Sequence, residues 1–317
     1  MKYLYGMIER KEKELPSILS IGNENIRIYS YNEIALIFKE AFSSYKDLSQ
    51  EELIHFLAEH QLLIEEAMKK FFHIIPIKFG TVVKDDEINE ILKENYQKFK
   101  EIFEIIRGKV EWDLAATWSD LNLALREIGE KDSSLVKLRE KISLKPMAET
   151  FIERVEMGKM ARDLLIKERE ILSRKIFESI KDLPLQYRFN NLMGDTMIIN
   201  VALFIEKNDE EKLEERVREL DKIYKNKINF RCIGPLPPYS FYTIKIKEKE
   251  EAQKARQTLG INDKTTLPEI KSVYRKMAKE FHPDKQEGES KKFEELTKAY
   301  KTLLHYLKNP CEIEEIK

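Results

Sequence analysis

Hydrophobic and polar residues repeat along the chain in patterns that predict a mixture of strands and helices. Short apolar stretches at residues 3–8 and 26–30 predict two strands near the start. A long helix is predicted next, because Ser49 and Glu52 have the spacing of a capping box and apolar residues then recur at helical intervals. We expect Pro76 to end this helix.

The pattern after this helix predicts another strand and another helix. Residues 74–83 form an apolar stretch that turns at Gly80. Asp85 and Asp86 then occupy N-cap positions for a helix with a continuous apolar face, and Gly108 is expected to close it. These elements predict an α+β domain over residues 1–108.

The middle of the chain predicts six elements in a recognisable order. They are a strand at 110–118, a long helix at 147–180, strands at 185–189 and 197–205, a helix at 209–224 and a strand at 228–233. The order strand, helix, strand, strand, helix, strand is that of the split βαβ or ferredoxin-like fold. We therefore predict a second, ferredoxin-like domain over residues 109–247, so that the fold class is α+β.

The last part of the chain predicts an all-α domain at residues 251–309. Apolar residues repeat at helical spacing over 267–281 and again over 293–304, which predicts two helices packed as an antiparallel hairpin. Pro283 cannot continue a helix and restricts the residue before it, so His282, Pro283 and Asp284 should lie at an exposed corner.

Length and composition exclude several classes of protein. The 317 residues allow two or three domains. Charged residues make up 36% of the chain, and no uncharged apolar run approaches the roughly 18 to 20 residues that cross a bilayer, which excludes an integral membrane protein. Charges also come too early for a signal peptide, so we expect a cytoplasmic protein.

The charge balance argues against binding to nucleic acid, and the low cysteine content argues against a zinc site and a disulfide framework. The 56 basic and 57 acidic residues nearly cancel, which gives no overall attraction to nucleic acid or to an acidic membrane. Residues 251–309 differ, with 13 basic and 9 acidic residues. The only cysteines, Cys232 and Cys311, are too isolated for a disulfide framework or a zinc site.

The sequence gives little support for catalysis. It has no P-loop, no GxGxxG and no GxSxG motif. His55, His60 and His73 share the first predicted helix, but their spacing is not that of an HExxH metal site. We expect neither enzymatic activity nor a cofactor. An enzyme whose ferredoxin-like domain binds a small metabolite remains an alternative.

The C-terminal segment resembles a J domain, the module by which DnaJ-type cochaperones engage DnaK-type ATPases. The resemblance rests on LGI at 259–261, EIKSVYRKMAKEF at 269–281, HPDK at 282–285, KFEEL at 292–296 and AY at 299–300. It implies that a positive helix face docks on the chaperone and that the HPD loop couples docking to ATP hydrolysis. The implied chaperone-binding residues are Lys271, Tyr274, Arg275, Lys276, Lys279, His282, Pro283, Asp284 and Lys285.

The segment departs from the usual J domain in two places. Ala255 and Arg256 replace the aromatic pair that usually precedes the Leu-Gly of the first helix, and the loop after Lys285 is shorter than usual. No Gly/Phe-rich segment or cysteine-rich zinc region accompanies it. We therefore expect the first 250 residues to select the client, which is the protein that is presented to the chaperone. The regions that accompany the J domain in a general DnaJ chaperone are not expected to select it.

Four strings in the first 250 residues resemble the GvpF/GvpL family of gas vesicle proteins. They are YLYGMI at 3–8, IPIKFGTV at 75–82, VEWDL at 110–114 and GPLPPYSF at 234–241. Over residues 1–247 the resemblance implies an α+β domain followed by a modified ferredoxin-like domain. It also implies a cytoplasmic accessory or minor structural protein of the gas vesicle, which binds the small hydrophobic shell protein and other accessory proteins.

Residues of two of these strings are candidates for contact with the shell protein, although the same residues could serve only to shape the fold. A glycine permits a tight turn, and a proline-rich stretch is extended and rigid enough to present aromatic side chains. The candidates are Pro76, Phe79, Gly80, Thr81, Gly234, Pro235, Pro237, Pro238, Tyr239, Ser240 and Phe241.

Together the two resemblances lead to a functional hypothesis and a rival. In the hypothesis, the protein is an assembly factor. Its residues 1–247, which we call the body, bind shell or accessory proteins, and its J domain recruits a DnaK-type ATPase. In the rival, it is a purely structural minor component of the vesicle, and its J-like hairpin only docks onto another protein. Dependence on the ATPase separates the two.

Overall fold

The computed structural model describes most of the chain and divides it into two compact units. The described residues are 1–10, 18–21, 24–40, 49–71, 73–85, 87–146, 149–246, 249–262, 265–282, 290–308 and 313–315. One unit contains Met1–Arg107 and Phe241–Lys317, and the other contains Gly108–Ser240. Helices and sheets occur together, which confirms the predicted α+β class.

The first unit contains an antiparallel sheet. Its strands are β1 (Lys2–Glu9), β2 (Ile18–Ile21), β3 (Glu24–Tyr31), β4 (Ile34–Glu40), β5 (Ile74–Pro76) and β6 (Val82–Val83). The strand order is β2-β3-β4-β1-β5, and β6 also pairs with β1. Strands β2 and β4 were not predicted. The first five residues of β4 form a continuous buried apolar run, which carries no alternation to identify a strand.

Three helices complete this part of the first unit: α1 (Gln50–Phe71), α2 (Glu87–Glu94) and α3 (Tyr96–Ile106). The capping box is confirmed, since Ser49 N donates to Glu52 Oε2 at 2.8 Å and Glu52 N donates to Ser49 Oγ at 3.3 Å. Pro76 lies in β5 and does not end α1, which finishes at Phe71.

The single helix predicted before Gly108 is two helices in the structure, separated at Asn95. Asn95 Nδ2 donates to Ile91 O at 3.0 Å, so this side chain bonds back to α2 at the break. Of the two predicted N-caps, Asp86 lies outside the described residues. Lys84 N instead donates to Glu87 Oε2 at 3.0 Å at the start of α2.

The second unit is a four-stranded antiparallel sheet with helices. The strands are β7 (Lys109–Trp118), β8 (Gln186–Phe189), β9 (Met197–Glu206) and β10 (Ile228–Leu236), in the order β10-β7-β9-β8. The helices are α4 (Leu121–Lys131), α5 (Ser133–Ser143), α6 (Phe151–Glu178) and α7 (Glu210–Ile223). The series follows the predicted order, except that three helices stand where one was expected.

One face of this sheet forms the core of the second unit. Alternate residues of β7 and β9 are buried together with side chains of α6 and α7. The cluster includes Trp112, Leu114, Val201, Leu203, Ile176, Leu213 and Leu220. Two-residue periodicity in the second half of β7 and helical periodicity in α7 match this burial, whereas β9 is an almost continuous buried apolar run.

The C-terminal helices pack as predicted. They are α8 (Lys249–Thr258), α9 (Leu267–Glu280) and α10 (Ser290–Lys308), around a core that includes Ala252, Leu259, Ile270, Leu296 and Leu303. The Tyr274 ring stacks on Tyr300 at 4.0 Å, and the His282 ring meets Phe293 at 5.4 Å. Tyr274 lies before His282 in the chain, whereas its partner Tyr300 lies after Phe293, the partner of His282. The hairpin is therefore antiparallel.

A short strand pair brackets these helices. β11 (Ile244–Ile246) precedes them, β12 (Ile313–Glu315) follows them, and the two strands pair antiparallel. Lys78 N also donates to Ile244 O at 2.8 Å. The sequence did not predict this pair. Within the described parts of the chain, no helix combines the length and apolar character needed to cross a bilayer.

Candidate functional site

The first candidate site is a set of exposed cations on α9, which we call the basic face: Lys271, Arg275, Lys276 and Lys279. Lys271, Arg275 and Lys279 are four residues apart and therefore share one side of the helix. All four side chains are exposed, and none forms an ion pair with any residue that the structure describes. Their charge is thus available to an acidic partner.

The start of α9 is fixed by its own side chains. Thr266 N donates to Glu269 Oε2 at 2.7 Å, and Thr266 Oγ1 donates to the same oxygen at 2.8 Å. These bonds hold the pKa of Glu269 below its ordinary value. A capping box with Pro268 in the first turn stabilises the helix that carries the basic face.

The end of α9 places the first residue of the predicted corner, His282, at an exposed position. Phe281 N donates to Met277 O at 2.9 Å, and the next residue, His282, is exposed with its ring against Phe293. Pro283, Asp284 and Lys285 lie outside the described residues.

Tyr274, although on α9, differs in setting from the basic face. Its half-buried ring stacks on Tyr300, and its hydroxyl lies 3.3 Å from Thr297 Oγ1. Lys292 Nζ lies 4.4 Å from the centre of the Phe281 ring, a second link between α9 and α10. Tyr274 is therefore placed to hold the hairpin together.

The departure at Ala255 and Arg256 is accommodated by the fold. Both residues are buried, and Arg256 Nη1 donates to Asn262 O at 3.1 Å. Ile261 N donates to Arg256 O at 3.0 Å. The guanidinium thus bonds to the turn that leads toward α9, at a position where the usual J domain has an aromatic residue.

A second group of candidates lies where two of the family strings meet, around β1 and β5. Gly6 pairs with Pro76, which is buried. A Cβ atom on Gly6 would lie 2.8 Å from Ile74 Cδ1 and 3.0 Å from Ile75 O. Only glycine therefore permits the observed approach of the two strands.

Tyr3 and His60 form a buried hydrogen-bonded chain at this junction. Tyr3 Oη lies 2.8 Å from His60 Nδ1, and His60 Nε2 lies 3.1 Å from Ile77 O. Gly80, at φ 82°, donates its N–H to Tyr3 Oη at 3.3 Å. Burial lowers the pKa of His60 to about 4. A neutral imidazole that donates from Nε2 and accepts at Nδ1 satisfies every one of these contacts.

The remaining residues of this string also serve the fold. The half-buried Phe79 ring lies 5.5 Å from His60 and 6.4 Å from Tyr3 in edge-to-face contacts. Thr81 is buried, and its Oγ1 donates to Lys78 O at 2.6 Å. The observed contacts of Phe79, Gly80 and Thr81 are internal.

The structure brings the other two strings together in the second unit. Ser240 N donates to Glu111 Oε2 at 2.8 Å, and Ser240 Oγ donates to Glu111 Oε1 at 2.7 Å. Glu111 is only 1% exposed, and its burial raises the pKa to about 8 against the opposing effect of the Ser240 bonds. Burial also raises the pKa of Asp113, two residues further along β7.

Gly234 makes a second contact between the same strings. A Cβ atom there would lie 2.3 Å from Trp112 Cδ2, so the strand passes directly over the indole ring. The peptide bond between Gly234 and Pro235 is cis. Of the other candidates, Pro235 is exposed, Tyr239 and Ser240 are half-buried, and Pro237, Pro238 and Phe241 are buried.

Sequence reasoning identified these strings but not their pairing. Glu111 and Ser240 are 129 residues apart, and no local pattern links them. The signal that could have found the pair is an acidic residue between apolar residues of a predicted strand, because such a residue needs a hydrogen-bond donor if it is buried.

The described residues contain no group of three or more His, Cys, Asp or Glu side chains placed to hold a metal ion. Burial raises the pKa of the Cys232 thiol to about 12, so this sulfur is protonated at neutral pH and is a poor nucleophile.

Comparison with known proteins finds a different family for each of two parts of the chain. The family model of the gas vesicle synthesis protein GvpL/GvpF matches residues 1–243, and that of the DnaJ domain matches residues 257–308. Gas vesicle protein F of Nostoc sp. is 22% identical over 245 residues, which cover 76% of this chain and 98% of the relative. The mitochondrial DnaJ homolog 1 of Saccharomyces cerevisiae is 39% identical over 84 residues, which cover 26% of this chain and 16% of the relative.

A solved structure shares the fold of the larger part. The crystal structure of GvpF from Anabaena sp. superimposes with a TM-score of 0.62 at 21% sequence identity, over 75% of this chain and 96% of that one. The predicted combination of the two resemblances is confirmed.

Proposed function

Because the chain belongs to the GvpL/GvpF family of gas vesicle synthesis proteins and carries a DnaJ domain, we propose that it is an assembly factor of the gas vesicle. In this proposal the body binds the shell protein or another gas vesicle accessory protein, and the J domain recruits a DnaK-type ATPase to that client. The chain itself catalyses no reaction and needs no cofactor, and it works in the cytoplasm at the forming vesicle.

The observation that carries the proposal is the basic face beside His282. Lys271, Arg275, Lys276 and Lys279 are exposed and form no ion pair with the described part of the chain, and Lys279 is three residues before His282. Clustered exposed cations accelerate and orient a transient encounter with an acidic surface. A helix that merely faced solvent would have no need of this cluster next to an HPD sequence.

Joining the two activities in one chain explains how weak contacts would suffice. When client binding and ATPase recruitment share a chain, the second contact becomes intramolecular, with an effective concentration in the millimolar range for short connections. A DnaK-type protein would then act on the bound client in preference to other proteins.

A direct test measures ATP hydrolysis by the host's DnaK-type protein in the presence of the purified full-length chain. We expect His282→Gln to abolish the stimulation, and the double reversal of Arg275→Glu and Lys279→Glu to reduce it at least tenfold. Lys298→Glu, a charge reversal at an exposed lysine on α10, is the matched control and should leave stimulation within twofold of wild type. Equal stimulation by folded His282→Gln would disprove docking through the corner.

A test in the native host separates the assembly factor from a purely structural component. Vesicles are assayed by flotation and electron microscopy in cells with wild-type protein or His282→Gln, at equal abundance of the two proteins. Loss of vesicles in the mutant supports chaperone recruitment. Normal flotation would favour a structural component whose helices only dock onto another protein.

A further inference from the structure

The second unit contains a cavity that the proposed function does not use. Its volume is about 260 Å³, and its lining residues come from α4, α6, the end of β7 and the turn that precedes β10. An apolar cavity of about 150 Å³ is large enough to bind benzene. This cavity therefore has room for an aromatic ring that carries a short substituent.

One wall of the cavity is the apolar side of α4. Ala124 and Ile128 face the core of the unit but are only half-buried, and α4, which the structure describes completely, has no buried residue. Leu172 of α6 also lines the cavity and is half-buried. Apolar side chains on facing helices normally pack against each other. Here they border an open space, which an apolar group of the right size would fill.

Two aromatic side chains, the buried Trp118 and the half-buried Tyr224, also line the cavity. The backbone beside them is fixed, because Ser119 N donates to Lys227 O at 3.0 Å and Ser119 Oγ donates to Asn226 O at 2.6 Å. These bonds join the end of β7 to the turn before β10. The two rings are therefore preformed walls, and aromatic walls favour a planar aromatic ligand through stacked or edge-to-face contacts.

The rim of the cavity carries lysines that have no counter-ion. Lys131 ends α4 and Lys175 lies near the end of α6; both are exposed, and neither forms an ion pair with any residue that the structure describes. Lys227 differ from them, since its Nζ donates to Glu127 Oε2 at 2.7 Å. That bond, with the charges of Lys227 and Lys131, holds the pKa of Glu127 below its ordinary value, so Lys131 lies near this neutral pair.

Two further acids line the cavity, and neither neutralises these lysines. Asp120 Oδ1 accepts from Leu123 N at 3.0 Å and serves as the N-cap of α4. Glu168 lies seven residues before Lys175 on α6, which is ~10 Å along the helix axis. An anion beside Lys175 is thus well separated from Glu168, and the charge around it is positive.

We propose that this cavity binds a small aryl carboxylate, whose ring lies against Trp118 and whose carboxylate bonds to Lys131 and Lys175. Apolar walls with a few placed polar groups are the usual composition of small-molecule sites. The inference is independent of the proposed function, because no residue of the basic face or of the four family strings lines the cavity.

The test measures binding of 4-phenylbutyrate to the purified full-length chain by isothermal titration calorimetry. The matched neutral ligand is 4-phenylbutan-1-ol, which has the same ring and carbon chain but lacks the charge. We expect the acid to bind saturably and at least tenfold more tightly than the alcohol, since only the acid makes charge-assisted bonds to the lysines.

Two variants locate the site. Ala124→Phe places a ring inside the cavity and should abolish binding of the acid without lowering the melting temperature, because it fills open space. Lys131→Gln combined with Lys175→Gln should weaken binding of the acid at least tenfold and leave that of the alcohol within twofold of wild type. Lys137→Gln with Lys159→Gln, at exposed positions outside the cavity, is the matched control and should leave both affinities within twofold.

Three results would overturn the proposal. The first is no saturable binding of the acid by the wild-type chain, and the second is equal affinity for the acid and the alcohol, which would mean a purely apolar cavity. The third is unchanged binding of the acid by folded Ala124→Phe, which would place the ligand elsewhere. If Ala124→Phe lowers the melting temperature, the exposed lysine pair decides, and unchanged affinity for the acid in that variant overturns the proposal. Each of these results leaves the proposed function standing, because that function is tested by ATPase stimulation.

Discussion

Glu111→Gln should remove a large pH dependence from the stability of the second unit. The neutral amide has the shape of the protonated carboxyl group, and it can still accept from Ser240 N–H and donate to Ser240 Oγ. Since the pKa of Glu111 is raised from 4.5 to about 8, the folded protein holds a proton there that the unfolded chain releases above pH 4.5. The variant cannot exchange this proton.

The sign and size of the effect follow from the two pKa values. A group whose pKa is raised by folding contributes its full stabilisation below the unfolded pKa and loses it as the pH rises to the folded pKa. Between pH 4.5 and about 8, the free energy of unfolding of the wild type therefore falls by about 1.4 kcal/mol, relative to that of the variant, for each unit by which the pH rises. When the pH rises by two units within this window, the free energy of unfolding of the wild type should fall by about 2.7 kcal/mol more than that of the variant.

Urea denaturation followed by tryptophan fluorescence measures this difference. Both tryptophans of the chain, Trp112 and Trp118, lie on β7, so the signal reports the unit that contains Glu111. The free energy of unfolding of wild type and Glu111→Gln is compared at about pH 5.5, 6.5 and 7.5, a window inside the titration range. Glu219→Gln, at an exposed position on α7, serves as the control. Parallel pH slopes for wild type and Glu111→Gln would show that the carboxylate ionises without penalty, and would refute the reasoning.

Two further predictions concern the packing of the family strings. Gly234→Ala should lower the free energy of unfolding by about 1–3 kcal/mol, because its Cβ would clash with Trp112, whereas Gly158→Ala, with nothing within 4 Å, should be neutral or stabilising by up to about 1 kcal/mol in urea denaturation. A Gly234→Ala protein as stable as wild type would contradict the close approach. For His60, the lowered pKa predicts stability that is complete above about pH 6.5 and is lost toward pH 4. His60→Gln should abolish that part of the acid sensitivity in thermal melts, and an unchanged acid profile would argue against a buried neutral imidazole.

Local signals in the sequence predicted much of the fold. The capping box at Ser49 and Glu52 located the start of α1, and the short apolar stretches at 110–118 and 197–205 identified strands β7 and β9 of the second unit. These features depend on residues close together in the chain, so a single sequence contains the information that specifies them.

Features that depend on distant residues could not be predicted in the same way. The break at Asn95 was missed because the apolar face continues on both sides of it, and β12 was missed because three residues contain too little pattern. The contact between Glu111 and Ser240 and the position of β8 at the edge depend on how the strands pair. The family resemblance located both strings of the Glu111 contact, but only the fold shows that their contacts are internal.

The pairing of β11 with β12 makes the J domain an insertion with two attachment points. The chain leaves β11 at Ile246, forms α8 to α10, and returns at Ile313, which pairs with Ile246. Adjacent paired strands lie about 5 Å apart, so the entry and exit of the helices are held side by side. A domain fastened at both ends can rotate about one axis but cannot swing as freely as a domain on a single linker. If an ATPase docks on these helices as proposed, a force on them would reach β11 through both ends, and from β11 it would pass to Lys78, whose N–H donates to Ile244 O.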